Sequence, residues 1–193
     1  SRLAIIDLDP RSNQPFSIGD VDLIFNGEIY NYVELRKQLE KKGVTFRTSS
    51  DTEVLLQSYL HEGESCVQNF EGMWAFALFD RRNGKLLLSR DRFGEKPLYY
   101  TWVNHGGGGG LYFGSEIKFL ESLSGTLPTV NQQQVLRYLV NGYKSLYKQP
   151  ATYYNEIHEV PYASNLVVST QLESKVSRYW TPRYAPRSMT REQ

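Results

Sequence analysis

The sequence predicts an α+β domain in which antiparallel sheets pack against helices. An apolar strand over 73–79, the pair Asn83-Gly84 and a second strand over 85–90 together form a hairpin pattern. Helix starts with capping residues occur at Asn31 and at Ser50. The regular alternation of strands and helices that marks a doubly wound parallel sheet is missing, so the strands are expected to pair as antiparallel neighbours.

The composition is that of an ordinary globular protein with one domain. The chain has 193 residues, of which 40% are hydrophobic and 22% charged, which excludes a disordered chain, a collagen-like chain and a coiled coil. Lysine and arginine total 22 against 21 acidic residues, so no nucleic-acid partner and no membrane partner is expected. The single cysteine excludes an intramolecular disulfide and a multi-cysteine zinc site.

The first third of the chain contains strand patterns and two helix patterns separated by turn residues. The predicted elements are a strand over 2–8, a turn over 10–15, a strand over 21–25 that ends in a bend at Asn26-Gly27, a helix from Asn31 to Gly43, a short strand over 44–47 and a helix from Ser50 to Gly63. Arg36 and Glu40 are spaced to pair on the first helix.

The remainder of the chain adds further strands and two short helices. Beyond the first hairpin we expect paired strands over 98–103 and 111–114 joined by a loop with the glycines 106–110, helices over 115–123 and 131–141, and strands over 165–169 and 177–180. The segment 143–163 shows no clear period. The tail 182–193, rich in proline and arginine, is typical of a linker.

The pair Asn26-Gly27 allows two interpretations. A side-chain amide and an exposed glycine N–H could donate two hydrogen bonds to one developing oxyanion. The same pair also favours a simple turn at the end of a strand, and local sequence alone favours that turn.

Asp51 and Arg2 each have a structural and a functional interpretation. Asp51 lies in the first turn of a predicted helix, where a carboxylate stabilises the helix dipole or binds an ammonium group. Arg2 lies on an apolar strand, and its guanidinium suits bidentate binding of a carboxylate or simply reaches water at the strand end.

Other reactive residue types favour structural roles. Cys66 has no basic neighbour within two positions and is expected to be a buried small hydrophobe. The three histidines have no metal-ligand spacing, so no metal site is predicted. The charged segment 89–100 is expected to form a tight, salt-bridged connection between two strands.

Six motifs in a fixed order resemble the class II glutamine amidotransferase domain of asparagine synthetase. The matching segments are Arg2-Leu3-Ala4-Ile5-Ile6-Asp7, Asn26-Gly27-Glu28-Ile29-Tyr30-Asn31, Ser50-Asp51-Thr52-Glu53-Val54, Gly72-Met73-Trp74-Ala75-Phe76-Ala77, Arg90 to Tyr100, and Ser115-Glu116-Ile117-Lys118. The resemblance is strong over about residues 2–123 and looser over 124–182. It favours the functional interpretations of Arg2, Asn26, Gly27 and Asp51 over the local ones.

The resemblance implies an N-terminal-nucleophile hydrolase fold, a four-layer αββα sandwich of antiparallel sheets, here without its first strand. It also implies hydrolysis of glutamine to glutamate and ammonia by an N-terminal cysteine thiolate through a thioester. No residue of this sequence corresponds to that cysteine, so a chain of these residues alone is expected to be inactive. Ser1 directly precedes Arg2 and therefore lies on a different strand from the nucleophile.

The resemblance also implies a set of site residues. Asn26 and Gly27 would form the oxyanion hole, and Arg2 would bind the α-carboxylate of glutamine. Glu28 and Asp51 would contact the α-ammonium group. The backbone of three further residues would line the pocket: Leu3, Ile5 and Ile6.

The resemblance places this chain within a larger cytoplasmic enzyme. Residues 1–181 would be the amidotransferase domain and 182–193 a linker toward a C-terminal synthetase domain of the same chain. ATP and magnesium would bind only in that synthetase domain, with no cofactor here, and the ammonia would amidate aspartate. Two alternative functions stay open: a glutaminase domain with a different ammonia acceptor, and a non-catalytic homologue that binds glutamine or a partner. Association of the enzyme as a homodimer also stays open.

Overall fold

The computed structural model describes residues 6, 10–106, 108–143 and 150–185. The predicted strand over 2–8 therefore lies outside the described residues, except for Ile6. The described strands are β1 Phe16–Ile18, β2 Val21–Ile29, β3 Gly72–Asp80, β4 Lys85–Arg90, β5 Tyr99–His105, β6 Gly108–Gly114, β7 Ile157–Glu159, β8 Ser164–Val168 and β9 Ser174–Arg178. The α-helices are α1 Tyr32–Lys41, α2 Asp51–Glu62, α3 Ile117–Ser124 and α4 Gln132–Asn141, and 3-10 helices cover Pro10–Ser12 and Gly63–Asn69.

The strands form two antiparallel sheets, which confirms the predicted fold class. The larger sheet has the order β1-β2-β3-β4-β8-β9, and the smaller sheet has the order β6-β5-β7. Every pairing within the two sheets is antiparallel. The predicted hairpin joins β3 to β4, and its connection is four residues long, Arg81 to Gly84, instead of the two that Asn83-Gly84 favours.

The larger sheet is covered on both faces, which gives the molecule its layers. One face packs against α1 and α2, with Leu23, Leu55 and Trp74 in that core. The opposite face packs against the smaller sheet, with Leu88 and Leu166 in the second core. Helix α3 contacts β5 and β6 of the smaller sheet. The apolar pattern of 73–79 arises because β3 lies between both cores.

The predicted bend at Asn26-Gly27 is wrong, because β2 continues through both residues to Ile29. Gly27 lies opposite Trp74 with a φ of +154°, and a Cβ there would approach the carbonyl oxygen of Met73 to 2.1 Å. The glycine thus permits a close approach of two strands and does not form a turn.

Two other predictions for local structure are also wrong. Residues 44–47 form no strand, since the backbone N–H groups of Arg47 and Thr48 bind the carboxylate of Glu53 instead of a neighbouring strand. The glycines 108–110 belong to β6 and pair with 103–105, because strand pairing uses only backbone groups. The short strand β7 falls in the segment without a clear period and pairs with β5.

Capping chemistry explains where the helices begin. The hydroxyl of Ser50 accepts the N–H of Thr52 at the start of α2, and the side chain of Asn131 accepts the N–H of Gln134 in α4. Asn31 does not cap α1 with its side chain. Its amide instead bridges to the backbone that leads into β3, which ties the start of α1 to the larger sheet.

Candidate active site

A cavity of about 580 Å³ opens beside β2 on the side of the smaller sheet. Its wall includes Asn26 and Glu28 of β2, Asp51 at the start of α2, and Ser115 between β6 and α3. Both sheets and one helix end therefore contribute to a single cavity, of a size that suits a small metabolite.

The alternation of β2 explains why these side chains face the cavity. Phe25 and Ile29 pack into the core beneath the helices, so the intervening residues Asn26 and Glu28 project to the opposite face. Two of the residues of β3 that share this face, Ala75 and Ala77, are small. Their small side chains leave room between the sheets.

The backbone of β2 directs its odd-numbered N–H groups away from β3, toward the side on which β1 pairs with Val21 and Leu23. Trp74, opposite Gly27, uses both its N–H and its carbonyl toward Asp91, so Gly27 and Trp74 form a pair without mutual hydrogen bonds. The N–H of Phe25 donates to Gln14 at 2.6 Å, and the N–H of Ile29 donates to Asp51 at 3.1 Å.

The N–H of Gly27 lies between those two bonded groups and points the same way. It has no hydrogen-bond partner within the described part of the chain, and Gly27 itself lines the cavity. A backbone N–H in this position at a cavity edge suits a ligand atom that carries negative charge.

The side chain of Asn26 supplies a second donor beside Gly27. Its Nδ2 donates to the Oγ of Ser115 at 3.1 Å, which links the two sheets at the cavity. A primary amide carries two N–H bonds, so one stays available after this contact.

Asp51 is a buried carboxylate that faces the same cavity. It is only 5% exposed, it accepts the N–H of Ile29, and the Oγ of Ser50 lies 3.5 Å away. Burial raises the pKa of Asp51 above its usual value, and the nearby charge of Glu28 raises it further. A cation between Asp51 and Glu28 would offset both the burial of the Asp51 charge and its repulsion by Glu28.

The structure brings together every predicted site residue that it describes. Asn26, Gly27, Glu28, Asp51 and Ile6 all line this cavity. The other three predicted residues, Arg2, Leu3 and Ile5, lie outside the described residues.

The connection that follows β4 forms part of the cavity wall and is held in place by Arg90. The guanidinium of Arg90 donates to the carbonyl oxygens of Lys96, Val160 and Gly94, and it forms an ion pair with Glu159 at 2.8 Å. These bonds fix the connection that places Lys96 at the cavity wall. The connection is tight, as predicted, but the ion pair of Arg90 is with Glu159 outside the segment, and backbone groups supply its other partners.

Cys66 is a structural residue, as predicted. Its side chain is 1% exposed within the core under the helices. Burial raises the pKa of the Cys66 thiol to about 12, so the thiolate is scarce at neutral pH. Cys66 is therefore unsuited to act as a nucleophile.

Two residues that the structure places at the site have no role predicted from the sequence. Ser115 belongs to one of the six motifs, but nothing in the sequence pairs it with Asn26. Gln14 lies in a predicted turn and lines the cavity while holding the edge of β2. Its contact depends on how the chain folds back, for which the sequence has no local signal.

Comparison with known protein families matches residues 1–180 to the glutamine amidotransferase domain. The chain belongs to this family. The six motifs and the confirmed two-sheet fold agree with that membership.

Curated relatives include asparagine synthetases. Asparagine synthetase [glutamine-hydrolyzing] 1 of Bacillus subtilis is 50% identical over 62% of this chain and 18% of its own length. Putative asparagine synthetase [glutamine-hydrolyzing] 2 of Methanocaldococcus jannaschii is 33% identical over 96% of this chain and 38% of its own length. The chain thus spans less than two fifths of the length of either relative.

Among solved structures, the glutamine phosphoribosylpyrophosphate amidotransferase of Bacillus subtilis is similar, with a TM-score of 0.56 and 21% identity. The match covers 84% of this chain and 30% of that one. This likeness confirms the N-terminal-nucleophile hydrolase architecture of the amidotransferase domain.

No helix in the described ranges is long and apolar enough to cross a bilayer. Within the same ranges, no group of three or more histidine, cysteine, aspartate or glutamate side chains is arranged to hold a metal ion.

Proposed function

We propose that this domain binds glutamine in the cavity beside β2 and serves its hydrolysis to glutamate and ammonia. The main support is one observation: two hydrogen-bond donors, at Asn26 and Gly27, and two acids, Glu28 and Asp51, line the same cavity. Glutamine needs both kinds of group, because its α-ammonium is positive and its amide oxygen becomes negative during attack.

The acids would hold the amino-acid end of the substrate. The α-ammonium group would lie between Glu28 and Asp51, where charge-assisted hydrogen bonds replace the repulsion between the carboxylates. Arg2 would bind the α-carboxylate with a bidentate contact, and the backbone of Leu3, Ile5 and Ile6 would line the pocket. Together these contacts distinguish an α-amino acid from a simple amide.

The donors would act on the reacting amide. A cysteine thiolate attacks the side-chain amide carbon, and its carbonyl oxygen becomes an oxyanion that accepts hydrogen bonds from Asn26 Nδ2 and Gly27 N–H. The C–N bond then breaks, a proton reaches the leaving nitrogen, and ammonia departs. Water cleaves the resulting thioester to glutamate and restores the thiol.

The nucleophile in this proposal is the N-terminal cysteine that the family resemblance implies. Cys66 is the single cysteine of the 193 residues, and its burial and raised pKa exclude it from the role. We therefore expect these residues alone to release no ammonia from glutamine.

The ammonia would be used for the ATP-dependent amidation of aspartate in the full-length cytoplasmic protein. The support is the likeness to glutamine-hydrolysing asparagine synthetases, whose length this chain covers only in part. ATP and magnesium would bind in a C-terminal synthetase domain, which would be the main partner of residues 1–181.

The test is glutamate release from glutamine by the full-length protein, with and without aspartate and ATP. We expect glutamate release, and asparagine formation when aspartate and ATP are present. Glutamate without asparagine would support glutaminase activity with another acceptor. Tight binding of glutamine without any turnover would contradict the enzyme and support a binding module.

A further inference from the structure

We infer that Ser115 is a positioning residue that fixes the orientation of the Asn26 amide for oxyanion binding. This inference rests on the proposed glutaminase function. It deepens that function by assigning a role to a residue in the connection between β6 and α3.

The contact joins two elements that are far apart in sequence. Ser115 follows β6 directly, and its Oγ accepts a hydrogen bond from Asn26 Nδ2 at 3.1 Å. Both residues line the cavity, and Ser115 is half-buried. The Ser115 hydroxyl therefore lies between the two sheets, next to the Asn26 amide that is proposed to bind the oxyanion.

The chemistry of a primary amide explains why this contact matters. A free asparagine side chain can rotate by half a turn, which exchanges its NH₂ donor with its oxygen acceptor. In the exchanged orientation, an oxygen would face the developing oxyanion and repel it. In the observed orientation Nδ2 donates one N–H to Ser115 Oγ, which restrains the side chain at the cavity and leaves the second N–H for the reacting oxygen.

The effect should concentrate on the chemical step. A donor that acts on charge developed in the transition state alters kcat more than substrate binding. Loss of a neutral hydrogen bond that orients such a donor predicts a fall in kcat of about three- to tenfold. Outright loss of the donor, as in Asn26→Ala, predicts a larger fall of about a hundredfold.

The test compares Ser115→Ala, Ser115→Thr and Ser65→Ala in the full-length protein. Ser65→Ala is the matched control, since Ser65 donates to the carbonyl of Glu62 at 2.7 Å and does not line the cavity. Glutamate release gives kcat and KM, and thermal unfolding reports stability. We expect Ser115→Ala to lower kcat with KM within about twofold, and Ser115→Thr to recover most of the loss because it keeps the hydroxyl.

Three results would overturn the inference. The first is an unchanged kcat in Ser115→Ala, and the second is an equal loss in Ser115→Thr and Ser115→Ala. The third is a loss of kcat in Ser115→Ala that is accounted for by a lowered melting temperature of that variant. If the unaltered protein releases no glutamate, the proposed function fails and the role of Ser115 fails with it. An active unaltered protein with an active Ser115→Ala variant refutes only the positioning role.

Discussion

Two buried aspartates on opposite sides of β3 differ in how many hydrogen bonds the protein donates to their carboxylates. Asp91 is 0% exposed, and its carboxylate accepts four backbone N–H groups, from Trp74, Phe93, Glu95 and Lys96. Asp51 is 5% exposed and accepts the N–H of Ile29 at 3.1 Å, with weaker contributions from the N–H of Thr52 and from Ser50 Oγ at 3.5 Å.

The difference separates a carboxylate that builds the fold from one that can bind a ligand. Four donors surround Asp91 and leave little capacity for anything else, so its charge stabilises the connection behind the cavity. Asp51 keeps acceptor capacity toward the cavity, and burial raises its pKa because its charge is incompletely compensated. A ligand ammonium would supply the compensation that the protein does not.

The largest expected effect is on stability, from Asp91→Asn. An NH₂ group would replace one acceptor oxygen and face backbone donors, which costs about 4 kcal/mol of unfolding free energy. Urea denaturation of the full-length protein measures this, and Asp51→Asn is the matched control. Equal destabilisation by the two variants would contradict the distinction between the aspartates.

The next effect is on chemistry, from Asn26→Ala. Loss of one oxyanion donor should lower kcat about a hundredfold, with the melting temperature unchanged because the side chain lies at a cavity and not in a core. Asn26→Asp keeps the shape but offers only acceptors, so it should be at least as inactive. Wild-type kcat in either variant would contradict the assignment.

Asp51→Asn should weaken glutamine binding without weakening the fold. Loss of the charge-assisted bond to the α-ammonium should raise KM by about tenfold or more. The pKa of Asp51 is raised in the folded protein, so its ionised form costs stability at neutral pH, and that cost vanishes below the unfolded pKa. The variant should therefore be as stable as the unaltered protein, or more stable, at pH 7.

The pH dependence of KM should report the protonation of Asp51. Protonation of Asp51 removes the charge that holds the ammonium, so KM should rise as the pH falls through the raised pKa of Asp51. Steady-state kinetics of glutamate release across mildly acidic pH measures this rise. A pH profile of KM in Asp51→Asn as steep as that of the unaltered protein would assign the titration to another group.

The smallest effect is expected from Cys66→Ala. The substitution removes a buried sulfur from the core, at a cost of about 1 kcal/mol or less. Glutamate release should be unchanged, because the raised pKa excludes Cys66 from nucleophilic attack. An inactive but folded variant would overturn that exclusion.

The sequence predicted the strands with strong apolar patterns and the helices with clear starts, because those signals are local. It misplaced the end of β2, since Asn26-Gly27 has the composition of a turn and only the neighbouring Met73 backbone shows why glycine is needed. The predicted group of Asn26, Gly27, Glu28 and Asp51 came from the order of motifs. The contact of Asn26 with Ser115 depends on how two sheets stack, which no local pattern encodes.

The most direct test is a crystal structure of the full-length protein with glutamine bound and with the proposed nucleophilic cysteine replaced. We expect the α-ammonium within about 3 Å of the Asp51 and Glu28 carboxylates. We also expect the amide oxygen in contact with Asn26 Nδ2 and Gly27 N–H. Glutamine bound elsewhere, or bound in this cavity with its ammonium turned away from both acids, would contradict the proposed binding mode.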